Sequence, residues 1–96
     1  MIVTVKGYLT IRTVMGDRHL QEIEVESITI HKLLSRLVRE FGGDFEHMIF
    51  APESQDLSPH IIVLVNGRHV SHLPDGLSTE LNDGDEVALF PPIAGG

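Results

Sequence analysis

The chain has 96 residues, the length of one domain, and carries 14 acidic against 7 basic side chains for a net charge of −7. Such a surface repels the phosphate backbone of nucleic acid and anionic membranes, so a protein partner with a basic docking surface suits it better. At 42% hydrophobic and 22% charged residues the composition is that of a globular domain, and the absence of cysteine excludes disulfides, thiolate nucleophiles, iron–sulfur ligation and sulfur-based zinc sites.

In chain order, alternation starts at Ile2. Val3, Val5, Leu9 and Ile11 fall on one face and Thr4, Lys6, Tyr8, Thr10 and Arg12 on the other, which predicts a half-buried strand. A turn at Met15-Gly16-Asp17-Arg18 leads back into a second strand over Leu20 to Val25, completing a hairpin. Thr29 can cap a helix whose apolar residues Ile30, Leu33, Leu34, Leu37, Val38 and Phe41 recur at helical spacing, with Lys32, Arg36 and Arg39 on its wet side and Gly42-Gly43 closing it. Asp44 to Pro59 show no regular pattern, and their hydrophobics Phe45, Met48, Ile49 and Phe50 are expected to cap the edge of the core.

The run Ile61 to Val65 is apolar on both faces, as in a central strand, and Asn66-Gly67 supplies a tight turn after it. It is also the longest apolar run, too short to span a bilayer, and with neither a basic leader nor an apolar signal core at the N-terminus a cytoplasmic location is expected. After Pro74-Asp75-Gly76, Leu81 leads into the turn Asn82-Asp83-Gly84-Asp85 and a last strand, Glu86 to Phe90. One long helix among these strands predicts an α+β β-grasp domain over residues 1–90, a mixed four- to five-stranded sheet covered by one main helix. Residues 91–96 follow as a flexible tail.

The tail reads Pro91-Pro92-Ile93-Ala94-Gly95-Gly96: the prolines stop ladder pairing, and the last four residues should project into solvent. A glycine carboxylate is the least hindered acyl group a protein can offer, and two glycines can thread a narrow tunnel that side chains would block. At neutral pH the carboxylate is a poor electrophile, so another enzyme must activate it. Adenylation by ATP gives a mixed anhydride, from which a sulfur nucleophile can displace the leaving group to form a C-terminal thiocarboxylate. With no cysteine to carry a persulfide, the terminus is the obvious attachment point for sulfur. Ordering Ile93 to Gly96 costs on the order of 4–8 kcal/mol of backbone entropy, so an apolar patch on the body, near Tyr8 and Phe90 with Ile93 at the tail root, must supply affinity.

The stretch from Leu81 to Gly96, above all the ending DGDEVALFPPIAGG, resembles the C-terminal signature of MoaD/ThiS-type ubiquitin-like sulfur carriers, and within them the small subunit of molybdopterin synthase. The strand-like stretch Tyr8 to Val14 departs from those carriers, which have a short loop and helix there. The resemblance implies that Gly96 bears the reactive acyl group, that Gly95, Ala94 and Ile93 thread and position the tail, and that the body has no catalytic residue. It further implies an E1-like adenylating enzyme using ATP and magnesium, a sulfurtransferase system, and an acceptor such as the large molybdopterin synthase subunit, with no cofactor bound by the carrier itself.

Other signals are weaker. Asp83, Asp85 and Glu86 crowd a turn expected beside the tail and could meet basic residues of an activating enzyme, although acidic turns are usually just solvated. His69 and His72 are three apart, but an extended segment does not hold them on one face, and no metal site is expected. Asn66-Gly67 and Gly42-Gly43 have full structural explanations. Two other functions share the tail or ignore it: a protein modifier forming isopeptide bonds, and a non-covalent β-grasp interaction module.

Overall fold

A computed structural model describes residues 1–16, 20–51 and 56–91. The strands are β1 (Ile2–Gly7), β2 (Leu20–Glu24), β3 (Ile62–Val65), β4 (Arg68–His69) and β5 (Glu86–Phe90), and the α-helices are α1 (Thr10–Val14), α2 (Ile30–Phe41) and α3 (Gly43–Ile49). They form one five-stranded sheet in the order β2-β1-β5-β3-β4, with a parallel β1–β5 pair at its centre and antiparallel pairs elsewhere. The expected mixed sheet and β-grasp order are therefore present.

Helix α2 forms where its apolar stripe predicts. The Thr29 hydroxyl accepts the Lys32 N–H at 3.2 Å, capping the first turn, and Gly42, at φ +90°, donates its N–H to the Val38 carbonyl at 2.8 Å. Ile30, Leu33, Leu34 and Leu37 are buried against Val3, Val5, Val63 and Val87 of the sheet. Gly43, expected as part of the stop, instead opens α3, which holds Phe45 and Ile49 one turn apart and fully buried. These residues belong to the core and do not merely cap its edge.

The first strand is shorter than its alternation predicts. It ends at Gly7, and Thr10 to Val14 wind into α1 rather than continuing to Arg12. Ile11, Val14 and Met15 are spaced i, i+3, i+4, so a helical turn brings all three inward, with Ile11 and Met15 fully buried; an extended chain would split them between faces. Leu9, expected on the core face, is 69% exposed. The departure read from Tyr8 to Val14 disappears with this helix.

Gly7 marks the changeover because nothing larger fits: a Cβ there would lie 2.5 Å from the Met15 sulfur and 3.2 Å from Ile11 Cγ2. Both neighbours are fully buried, so Met15 has little room to swing aside. Gly7→Ala is expected to cost about 1–3 kcal/mol, read as a lower urea midpoint at unchanged m-value.

Candidate functional site

Strand β5 is central and carries the chain towards its end. It runs parallel to β1, with Gly7 opposite Leu89 and the Tyr8 N–H donating to the Leu89 carbonyl at 3.1 Å, and antiparallel to β3, with Ile62 opposite Phe90. Pro91 is buried, so the packed body reaches through it. Ile93, Ala94, Gly95 and Gly96 lie outside the described residues, as does Pro92.

Because side chains alternate along each strand, burying Val3, Val5, Val63, Val65, Val87 and Leu89 under the helices leaves Ile2, Thr4, Lys6, Tyr8, Ile62, Leu64, Glu86, Ala88 and Phe90 on the opposite face. Among the described residues no helix covers that face. Near the tail root it is apolar: the Tyr8 and Phe90 rings stack at 4.4 Å and 3° between planes, Ile62 flanks Phe90 on the far side, and Leu64 flanks Ala88. A stacked pair of this kind contributes about 0.5–1.5 kcal/mol beyond burial. The structure thus unites the two aromatic residues picked from the sequence and adds Ile62 and Leu64. Their signal was available: a strand apolar on both faces, in a chain with helical material for only one, leaves one apolar face uncovered.

The acidic turn sits elsewhere. It precedes β5, and the five-residue strand separates it by roughly 13 Å from Pro91, where the tail begins. Its carboxylates have structural partners: Asp83 accepts the Ile2 N–H at 2.7 Å, and Asp85 accepts the Asn82 N–H at 2.7 Å and the Asn66 amide at 2.9 Å. Asn66 in turn accepts the Glu86 N–H at 2.9 Å, which ties the β3–β4 hairpin to the start of β5. Glu86 pairs with Lys6 at 3.3 Å on the open face, but the side chains are 43% and 26% exposed, and such a pair contributes at most about 1 kcal/mol. Asp85→Ala is expected to cost about 0.5–1.5 kcal/mol, since both hydrogen bonds are exposed and water can take the acceptor's place, measurable by thermal or urea unfolding.

His69 and His72 have ring centroids 6.1 Å apart, and the His69 Nδ1 accepts the Ser71 N–H at 3.0 Å. Among the described residues no three His, Cys, Asp or Glu side chains gather as a metal site, and no helix is long and apolar enough to cross a membrane.

The sheet with its central parallel pair, gripped on one face by a long helix, defines a ubiquitin-like β-grasp protein, and residues 10–96 match the ThiS family: the chain belongs to that family of ubiquitin-like sulfur carriers. Among particular relatives, it is 38% identical over 96 residues to small archaeal modifier protein 3 of Haloferax volcanii, with all of both chains covered. It is 40% identical over 75 residues to a putative sulfur carrier protein of Archaeoglobus fulgidus, covering 78% of this chain and 82% of the relative. The crystal structure of SAMP1 from Haloferax volcanii superposes over all of both chains with a TM-score of 0.81 at 29% identity.

Proposed function

We propose that this protein carries sulfur as a thiocarboxylate on Gly96 and delivers it in cofactor biosynthesis, most specifically to molybdopterin. The observation that carries the reading is positional: the central strand of the sheet ends in Phe90 and Pro91 beside an uncovered apolar strip, and only small, unbranched residues follow Ile93. An E1-like enzyme covers the strip and threads the tail. The Gly96 carboxylate attacks the α-phosphorus of ATP, bound with magnesium, and expels pyrophosphate; the terminal sulfur of a sulfurtransferase persulfide then adds to the acyl carbon, AMP leaves, and a thiol reductant cleaves the S–S bond of the resulting acyl disulfide to release the thiocarboxylate. The carrier supplies docking and the acyl group while the partner supplies catalysis, all in the cytoplasm. The ending Phe90-Pro91-Pro92-Ile93-Ala94-Gly95-Gly96 supports the molybdopterin synthase large subunit as acceptor.

Intact-mass analysis after incubation with the adenylating enzyme, ATP and a sulfur source should show one oxygen replaced by sulfur at the terminus. An unchanged mass under conditions where the enzyme releases pyrophosphate would overturn the carrier reading. A second reading, isopeptide formation on lysines of other proteins, is favoured by the name of the 38% identical modifier relative. It requires the same activated Gly96 but a lysine amine as nucleophile, so covalent adducts in cell extract decide for it.

A further inference from the structure

Leu9 combines two unfavourable features. Its backbone sits at φ +55° and ψ −127°, a region that side-chain-bearing residues rarely adopt, and its side chain is 69% exposed, the most of the large hydrophobics described as exposed. The other non-glycine residue at positive φ, Asn66, is of a type that tolerates the left-handed region and is held by hydrogen bonds from both ends of its amide. The Leu9 backbone forms the turn into α1, with the Ile11 N–H donating to the Tyr8 carbonyl at 3.1 Å and the Thr13 N–H to the Leu9 carbonyl at 3.4 Å, but nothing in that turn calls for a leucine side chain. Its side chain contributes nothing to the core, and glycine would meet the backbone geometry without strain. An exposed, strained leucine therefore points to a partner rather than to folding.

Its location specifies which partner. Leu9 directly follows Tyr8, the residue after β1, whose ring stacks on Phe90 and whose N–H donates to the Leu89 carbonyl, two residues before Pro91. Five residues, 92–96, lie beyond Pro91, and fully extended they reach about 17 Å. An enzyme whose reacting atoms touch the Gly96 carboxyl must bring its channel mouth within that tether of Pro91, a reach that takes in Tyr8, Phe90 and Leu9, the residue after Tyr8.

We propose that Leu9 is the aliphatic anchor for the ATP-dependent adenylating enzyme, which carries an apolar socket beside the mouth of its tail channel. This rests on the tail-activation reading above. The test is pyrophosphate release by the purified adenylating enzyme as the concentration of carrier is varied, for the wild-type chain, Leu9→Gly and Leu9→Met, alongside thermal unfolding of each. Leu9→Gly should raise the KM for carrier by at least about tenfold with kcat unchanged, because the lost contact is made in docking and not at the acyl carbon. The same variant should unfold at a higher temperature, since glycine relieves the strain. Leu9→Met should keep the wild-type KM. An unchanged KM in Leu9→Gly overturns the anchor while leaving tail activation intact. A raised KM with a lowered unfolding temperature assigns Leu9 to the fold and overturns it too. Failure of the wild-type chain to support pyrophosphate release brings down the tail reading itself, and the anchor with it.

Discussion

Phe45→Ala is expected to lower the unfolding free energy by about 3–5 kcal/mol, at the top of the range for truncations among the described core residues. Phe45 heads the fully buried side chains by volume, and its ring meets that of Phe41 at 5.7 Å and 47°, so it joins α3 to the end of α2. Removing it empties a space that neighbours on two different helices line, and the short α3 cannot collapse into it without giving up Ile49. A domain of this size has only about 5–14 kcal/mol in total, so the variant should be partly unfolded at modest urea concentrations. Urea titration followed by far-UV circular dichroism checks this. Phe45→Leu, which restores most of the volume, should recover more than half of the loss.

That one residue also shows where sequence reading stops. Helix α2 was legible because twelve residues repeat an apolar stripe between a threonine cap and a glycine stop, and β3 and β5 because β-branched runs abut turn residues. Helix α3 has only seven residues, two turns with one buried position in each, too few repeats for a period to emerge. In α1 the pattern was present but ambiguous: Val3, Val5, Leu9 and Ile11 continue a strand's alternation, while Ile11, Val14 and Met15 fit a helix, and it is the space above Gly7 that decides between them. At the candidate site, Tyr8 and Phe90 could be picked as aromatic residues near the tail. Ile62 and Leu64 were legible only as half of a strand apolar on both faces, and it is the strand order that puts them beside Phe90 on the uncovered face. For the acidic turn, Asp83 and Asp85 are close along the chain to Pro91 but a strand's length from it in space, and their hydrogen bonds mark them as turn-forming groups.

Gly95→Val should leave the body as stable as the wild-type chain and lower kcat/KM for adenylation by at least about 100-fold, the effect expected when a reacting group is displaced by roughly an ångström. A branched side chain one residue from the acyl carbon widens the tail at the point where it enters the active site and excludes the conformations that only glycine reaches. The described core extends to buried Pro91, four residues before the substitution, and the unfolding transition is expected not to move. The kinetic signature separates this residue from Leu9. Obstruction near the acyl carbon acts after docking and falls on kcat, whereas loss of the Leu9 contact weakens docking and falls on KM. Removing Gly96 altogether should abolish pyrophosphate release, yet leave the truncated chain able to compete with the wild type through Tyr8, Leu9 and Phe90. A truncated chain that fails to compete would mean that affinity resides in the tail and not in the strip, contrary to the entropy cost that fixing the backbone of four residues imposes on a tail binding alone.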